Sequence, residues 1–300
     1  MAATHKTDFQ IKQIMKYNRD GSPDRQTARF NNLMRFINQL QARGYGQRWN
    51  VHKFGKKEVH RLVEDWRAKK LSHRTIANRM VDIRWLADKV GRLDMIPSNK
   101  DIGCGLRKNE PNYGTNKAKP IDYEKINKLA EREKLITLLR SEFGLRTEEA
   151  CKFSHHYATK DDDIKLSLKG SWCKGGRPRQ IEIVTPRQVA LLNMIQAFQS
   201  SQKEKSMIPK NKSFKAYYRF YNQTRFNQEI AGHGLRHTWA QNRFEQVSKG
   251  IKAPHAGGAK YADLSPVEKI RWDAAATKVN QELGHGEHRQ DITSTYIGAK

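Results

Sequence analysis

A chain of 300 residues with 57 Lys and Arg against 31 Asp and Glu carries a formal net charge of +26. Only 37% of its residues are hydrophobic, its mean hydropathy is −0.88, and no apolar run approaches the length of a bilayer span, which excludes a membrane-spanning helix. Three widely spaced cysteines, Cys104, Cys151 and Cys173, exclude a disulfide framework or a Cys-rich zinc site. They fit a reducing compartment, and the start, MAATHKTDFQIKQ, has no apolar signal core, so a cytoplasmic protein is expected.

The positive excess is spread along the chain, with a net +14 over residues 1–118 and +12 over the remainder. Length and charge together suggest two basic domains gripping one polyanion, DNA ahead of RNA or an acidic surface. Residues 1–24 are polar, end in Asp20-Gly21-Ser22-Pro23-Asp24, and read as a basic arm. Helical periodicity starts at Gln26, where Phe30, Leu33, Met34, Ile37 and Leu40 recur at three and four, and Gly44 is a stop signal. A second helix is expected over about 57–70 (Val59, Leu62, Val63, Trp66). A third is capped by Ser72 and carries Ile76, Met80, Ile83, Leu86, Ala87 and Val90, with Gly91 after it. Arg74, Arg79, Arg84 and Lys89 lie between these apolar stripes, either along a phosphate backbone or on a solvated face. The helical domain is assigned to 25–105 and a linker to 106–118, where Gly, Asn, Lys and Pro replace periodicity.

The second domain, 119–300, begins with helices near 122–132 and 134–142 and the segment FGLRTEEACKF. Alternation of Ile164, Leu166 and Leu168, the turn Lys174-Gly175-Gly176-Arg177-Pro178, and alternation of Ile181 and Ile183 predict a β-hairpin. Thr185 and Gln188 form a capping box with Pro186 at the first helical position, opening a helix that carries Val189, Leu192, Ile195 and Phe198. Further helices are expected around 214–223, over 232–246 after GHG, and from about 266 to 283. The expected fold is therefore mainly α, with a small antiparallel hairpin in the second domain.

Chemistry-bearing groups occur as separated islands. Arg146 stands at a turn into a helix with Glu149 three residues on, on the same face and able to orient it. Lys174 is at the hairpin tip. His233 and Arg236 are three apart near a helix start. His285 and Tyr296 lie eleven positions apart at the end. Breaking a phosphodiester needs fixed positive charge on the nonbridging oxygens, which the planar arginine fork supplies. It also needs proton transfer at the nucleophile and leaving group, which histidine and lysine supply. Singly, each island also reads as an ordinary helix start, solvated turn or structural histidine.

Taken in order, G-L-R-x-x-E, K-x-G-x-x-R in a hairpin, H-x-L-R-H-T, L-G-H and a final tyrosine resemble the tyrosine recombinase (phage integrase) family, the family of lambda integrase, Cre and the Xer proteins. The resemblance extends through the second domain and, more loosely, over the N-terminal helices including LSHRTIANRMVDIRWL. It implies a SAM-like core-binding domain followed by a catalytic domain. It implies a site-specific DNA recombinase, the integrase of a mobile element, with catalytic residues Arg146, Lys174, His233, Arg236, His285 and Tyr296. Tyr296 is then the nucleophile of a 3′-phosphotyrosyl intermediate. Arg146 and Arg236 clamp the phosphate, His285 adds a hydrogen bond, Lys174 protonates the leaving oxygen, and His233 or His285 accepts the phenol proton. No metal, cofactor or ATP enters. The implied DNA contacts include Arg74, Arg79, Arg84, Arg177 and Arg179. The implied partners are double-stranded attachment sites, a homotetramer on two duplexes, and accessory DNA-bending or directionality factors, in a bacterial, nucleoid-associated setting.

Three features depart from the family pattern. Arg236 and His285 are separated by 48 residues, so 247–270 reads as an insertion, suited by Lys249, Lys252, His255, Gly257, Gly258 and Lys260 to contact DNA or a neighbouring subunit, or else neutral. The His285–Tyr296 spacing is slightly long. Four residues follow Tyr296, fewer than a subunit-docking helix needs, so the expectation is a shortened chain or protomers tied by another element. The rival functions are a type IB topoisomerase, a non-catalytic DNA-binding protein of the same fold and, more distantly, a metalloenzyme.

Overall fold

The computed structural model of the chain describes residues 6–45, 49–104, 114–160, 164–286 and 289–298. The chain divides into two compact units, Met1–Tyr113 and Gly114–Lys300. Most of the expected linker, its residues 106–113, lies outside the described residues. Among them, no helix is long and apolar enough to cross a membrane.

Among the described residues, the first unit has four α-helices, α1 (Lys6–Tyr17), α2 (Pro23–Ala42), α3 (Lys56–Ala68) and α4 (His73–Lys89). Ser22 and Ser72 cap α2 and α4 by accepting from the amides of Arg25 and Thr75, satisfying donors that the first helical turn leaves free. The apolar stripes meet in one core in which Leu33, Ile37, Val59, Leu62, Trp66, Ile76, Met80 and Ile83 are buried. Phe30 and Met34 sit at its margin. Residues 1–24 differ from the expected arm. Residues 6–17 form α1, because Ile11, Ile14 and Met15 recur at three and four and pack into this core. Gln10 fixes the helix further, donating to Asn50 Oδ1 and accepting from the Val51 amide.

The second unit has α5 (Tyr123–Asn127), α6 (Glu131–Glu142), α7 (Thr147–Lys152) and α8 (His155–Ala158), then a hairpin of β1 (Lys165–Leu168) and β2 (Arg179–Glu182). It continues with α9 (Pro186–Ser201), α10 (Phe214–Asn227), α11 (Gly234–Val247), α12 (Pro266–Glu282) and α13 (Gln290–Tyr296). The strands pair antiparallel, with Leu166 opposite Ile181 and Leu168 opposite Arg179. Leu166, Leu168 and Ile181 face the core, whereas Ile164, just before β1, stays 65% exposed. The capping box of α9 forms as the sequence predicts, Thr185 Oγ1 accepting from the Gln188 amide and Gln188 Oε1 from the Thr185 amide. α6 is the central element of this unit. Leu135, Ile136 and Leu139 are fully buried, and α7, α9 and α11 pack around it. Its polar positions are also internal, Thr137 Oγ1 meeting the Tyr221 hydroxyl and Glu133 accepting from Tyr217 at 2.6 Å.

The segment expected to be an insertion, 247–270, packs partly into the core of the second unit. Ala253 is fully buried, Ile251 and Leu264 are 8% exposed, and its last residues begin α12 behind the capping pair Ser265 and Glu268. Tyr261 packs edge-on against Trp272 and donates to Asp273.

Candidate active site

The loop into α7, the start of α11, the end of α12 and α13 converge in the second unit. Each brings one or two of the islands. Arg146 is the N-cap of α7, and Glu149, at the third helical position, accepts from the Arg146 amide at 2.7 Å and from its Nη1 at 2.9 Å. Glu149 has no solvent exposure and also takes two bonds from Arg179, Nη1 at 2.9 Å and Nη2 at 2.8 Å, with Arg236 Nη1 at 4.0 Å. One buried carboxylate thus holds three guanidinium groups. Burial alone raises its pKa. The hydrogen bonds and charge of Arg179, then Arg236 and Arg146, outweigh that and hold it down at about 2.

Arg179 therefore lies differently from the expected exposed DNA contact. Its side chain is 5% exposed and committed to Glu149, the Cys173 sulfur and, through Nε, the Glu282 carbonyl at 2.6 Å. The sequence carries the reason. Arg179 is two positions before the buried Ile181 and opposite the buried Leu168, so the pleat turns it inward. Arg177 remains exposed at the tip. With Lys278, Gln281 and His285 it lines a cleft of about 450 Å³.

Arg236, in the first turn of α11, is 1% exposed. Its two terminal nitrogens donate to the carbonyls of Gly144 and Leu283, and Nε donates to the Tyr296 hydroxyl at 3.2 Å. Burial, together with Arg146 and Arg179 and against the opposing effect of Tyr296 and Glu149, brings its pKa to about 10, which leaves it charged at neutral pH. The L-G-H motif has a backbone role. Gly284 takes φ +71°, the left-handed conformation that ends a helix, and the His285 amide donates to the Asn280 carbonyl at 2.8 Å. That turn places the Leu283 carbonyl on Arg236 and His285 Nε2 3.4 Å from Arg146 Nη2. A guanidinium only donates, so Nε2 accepts and the ring is neutral. Burial and then Arg236, Arg146 and Arg179 lower the His285 pKa to about 4.

Tyr296, on the last turn of α13, is 5% exposed. Its hydroxyl lies 3.0 Å from His233 Nε2. Because Arg236 donates to the phenol oxygen, the phenol proton is directed to His233. The outer edge of His233 meets solvent while Nε2 turns inward, and burial followed by Arg236, Arg140 and Arg146 lowers its pKa to about 4. The neutral ring is thus an acceptor at neutral pH. Of the six expected catalytic residues, five meet here. Lys174 stands exposed on the hairpin tip, with no hydrogen bond or ion pair among the described residues.

His237 also belongs to the site and was not anticipated. Its ring lies 4.4 Å from that of Tyr296 at 30°, it is 1% exposed, and Nδ1 has no partner among the described residues. The available signal was its place four residues after His233, on the same helical face. Burial, then His233, lowers its pKa to about 3. The expected contacts of the first unit divide. Arg74 is exposed, Arg79 lies 5.1 Å over the Trp66 ring, and Arg84 donates to the Pro97 carbonyl and Asn99. No group of three or more His, Cys, Asp or Glu side chains among the described residues is arranged to hold a metal ion.

Residues 113–242 match the family described as Integrase, and residues 5–96 match Phage integrase, N-terminal. The first match contains Arg146, Lys174, His233 and Arg236 and stops short of His285 and Tyr296. Among solved structures, a lambda integrase dimer bound to a COC′ core site is similar at a TM-score of 0.55 and 12% identity, over 87% of this chain and 75% of that one. The Tn1549 transposon integrase in complex with circular intermediate DNA is similar at a TM-score of 0.55 and 12% identity, over 98% of this chain and 96% of that one. At such identities these two likenesses speak to the fold. No curated protein sequence matches the chain. The two family matches, on a mostly helical fold with a phage integrase N-terminal domain and an integrase catalytic domain, place the chain in the tyrosine recombinase (phage integrase) family, as a tyrosine-type site-specific recombinase.

Proposed function

We propose that the chain is the integrase of a mobile element, cutting and rejoining double-stranded attachment-site DNA through a covalent bond to Tyr296. The observation that carries this reading is the phenol held between a charged donor and a neutral acceptor, Arg236 Nε at 3.2 Å and His233 Nε2 at 3.0 Å. As the phenol oxygen attacks phosphorus its proton passes to His233, and the bond from phosphorus to the 5′ oxygen breaks. Lys174 gives that oxygen a proton, leaving a free 5′-hydroxyl and a 3′-phosphotyrosine. Arg146 and Arg236 neutralise the charge that builds on the nonbridging oxygens, and His285 adds a hydrogen bond. Glu149 keeps the guanidinium groups in register, which limits their reorganisation during the reaction.

A 5′-hydroxyl from a second strand then attacks the phosphotyrosine and returns the proton through the same groups. One phosphoester is exchanged for another at each step, so ATP is not consumed, and the arginines supply the charge that a metal would otherwise supply. Arg177, Arg74 and the basic surface of both units extend the grip along the phosphate backbone. DNA as partner accords with the circular intermediate DNA bound by the similar Tn1549 transposon integrase and with the COC′ core site bound by the similar lambda integrase dimer. Strand exchange between two duplexes calls for four protomers, with accessory bending or directionality factors acting on the DNA.

The test is incubation with a nicked duplex of the element's own attachment junction in the presence of a chelator. A covalent adduct that disappears in Tyr296→Phe supports the reading. Normal adduct yield from Tyr296→Phe overturns it. Relaxation of plasmids of any sequence without recombinant products would assign the same chemistry to a topoisomerase.

A further inference from the structure

The segment 247–270 and the opening of the second unit are not used by the chemistry above, yet they meet at the end of α13. Two backbone carbonyls around Tyr296 are held there. The Tyr296 carbonyl accepts from Gln241 Nε2 at 3.1 Å, and the second hydrogen of that nitrogen goes to Asn116 Oδ1 at 2.9 Å. Asn116 Nδ2 donates to the His255 carbonyl at 2.6 Å. The His255 amide donates to the Ile297 carbonyl at 3.0 Å, closing the circuit one residue past the nucleophile. The His255 ring bonds the Gly114 carbonyl through Nε2 at 2.7 Å, which ties the same turn to the start of the unit. Ile297 is 1% exposed in the core, and Gly298 follows at φ +108°, where an added Cβ would stand 2.7 Å from Pro254 Cβ. The seat is therefore shaped to one backbone path.

Its parts also reach the other catalytic groups. Gln241 is on α11, the helix that carries Arg236 and follows His233. Asn116 belongs to a strap whose Lys119 amide donates to Thr238 Oγ1 on that helix at 3.0 Å. A two-turn helix such as α13 has little stability of its own, so what holds its backbone sets where the phenol lies.

We propose that Asn116, Gln241 and the 253–258 turn form a latch that positions Tyr296 for attack, which gives the 247–270 segment a role inside its own protomer. The proposal rests on the reading of Tyr296 as nucleophile. Asn116 and Gln241 touch no reacting atom and act as positioning residues. Losing one hydrogen bond of this kind costs about 0.5–1.5 kcal/mol, hence a roughly two- to tenfold slower attack.

The test uses the full chain with Asn116→Ala, an exposed change, Gln241→Met, close in volume, and their double variant. Adduct formation is followed in a single turnover at saturating nicked attachment DNA, beside DNA affinity and thermal unfolding. The expected result is a roughly two- to tenfold lower rate at unchanged affinity in each single variant. The double variant should be little slower than Gln241→Met, because both act through one circuit. A structural role alone would lower the melting temperature and leave the saturated rate untouched, and that result overturns the proposal. Additive losses in the double variant would also overturn it. Tyr296→Phe separates the two claims. If that control still forms adduct, the nucleophile reading has failed. If it is inert while the latch variants react at the parental rate, only the latch has failed.

Discussion

The Tyr296 hydroxyl stands 3.0 Å from His233 Nε2 while Arg236 donates to the same oxygen. This pairing assigns the phenol proton to His233, whereas His285 lies against Arg146. His233→Gln should slow adduct formation by about 10²–10⁴ in a single turnover, the usual worth of a general base. The free-enzyme pKa of His233 is lowered to about 4 by burial and by Arg236. The base is therefore unprotonated well below pH 6.5, and the acidic limb of kcat/KM should fall with a midpoint clearly under that value. A midpoint at 6.5 or above would contradict the assignment.

His237 is buried neutral beneath Tyr296, with its pKa lowered to about 3. The unfolded chain takes up this proton near pH 6.5 and the folded one near 3. Stability from this group is thus fully present above 6.5 and is lost as pH falls through that window. The slope is up to about 1.4 kcal/mol per pH unit for one proton. Denaturant unfolding of His237→Phe, which keeps the ring packing, should show a shallower dependence between pH 6.5 and 4 than the parent. Equal slopes would show that His237 titrates as in the unfolded chain.

Lys174 is exposed at the hairpin tip and is the acid of the proposed reaction. A leaving sulfur needs no proton, unlike a leaving oxygen. Lys174→Ala should therefore cut an ordinary substrate about 10²–10⁴ more slowly. It should cut DNA with sulfur at the bridging 5′ position at nearly the parental rate. An equal defect on both substrates would remove Lys174 from the acid role.

Glu149 holds Arg146 and Arg179 with no solvent exposure. Glu149→Gln leaves those cations without their counter-charge and should destabilise the second unit by about 3–5 kcal/mol in denaturant titration. Any folded fraction should cleave slowly, because Arg146 loses its orienting partner. Unchanged unfolding would contradict the central place given to this carboxylate.

The helices and the islands were legible where the information is local. Ser22 and Ser72 announce their helices, Thr185 and Gln188 announce α9, and His233 and Arg236 face one target because they are three apart on a helix. The inward turn of Arg179 was legible in principle from its alternation with Ile181, but its position beside a basic tip suggested an outward contact. α1 was missed because its short apolar stripe, Ile11, Ile14 and Met15, is diluted by polar neighbours. The circuit of Asn116, Gln241 and His255 was not legible. Its members are up to 139 residues apart, and neither amide side chain signals a role until the fold joins Asn116 to Gln241 and Gln241 to the Tyr296 carbonyl.

The central claim is that Tyr296 forms the bond to DNA, and the direct measurement is to find that bond. The trapped adduct is digested with trypsin and nuclease, and the peptide carrying the residual nucleotide is sequenced by mass spectrometry. The account predicts a phosphonucleotide on Tyr296 within the peptide Gln290–Lys300. A nucleotide on any other residue, Tyr261 included, would contradict it.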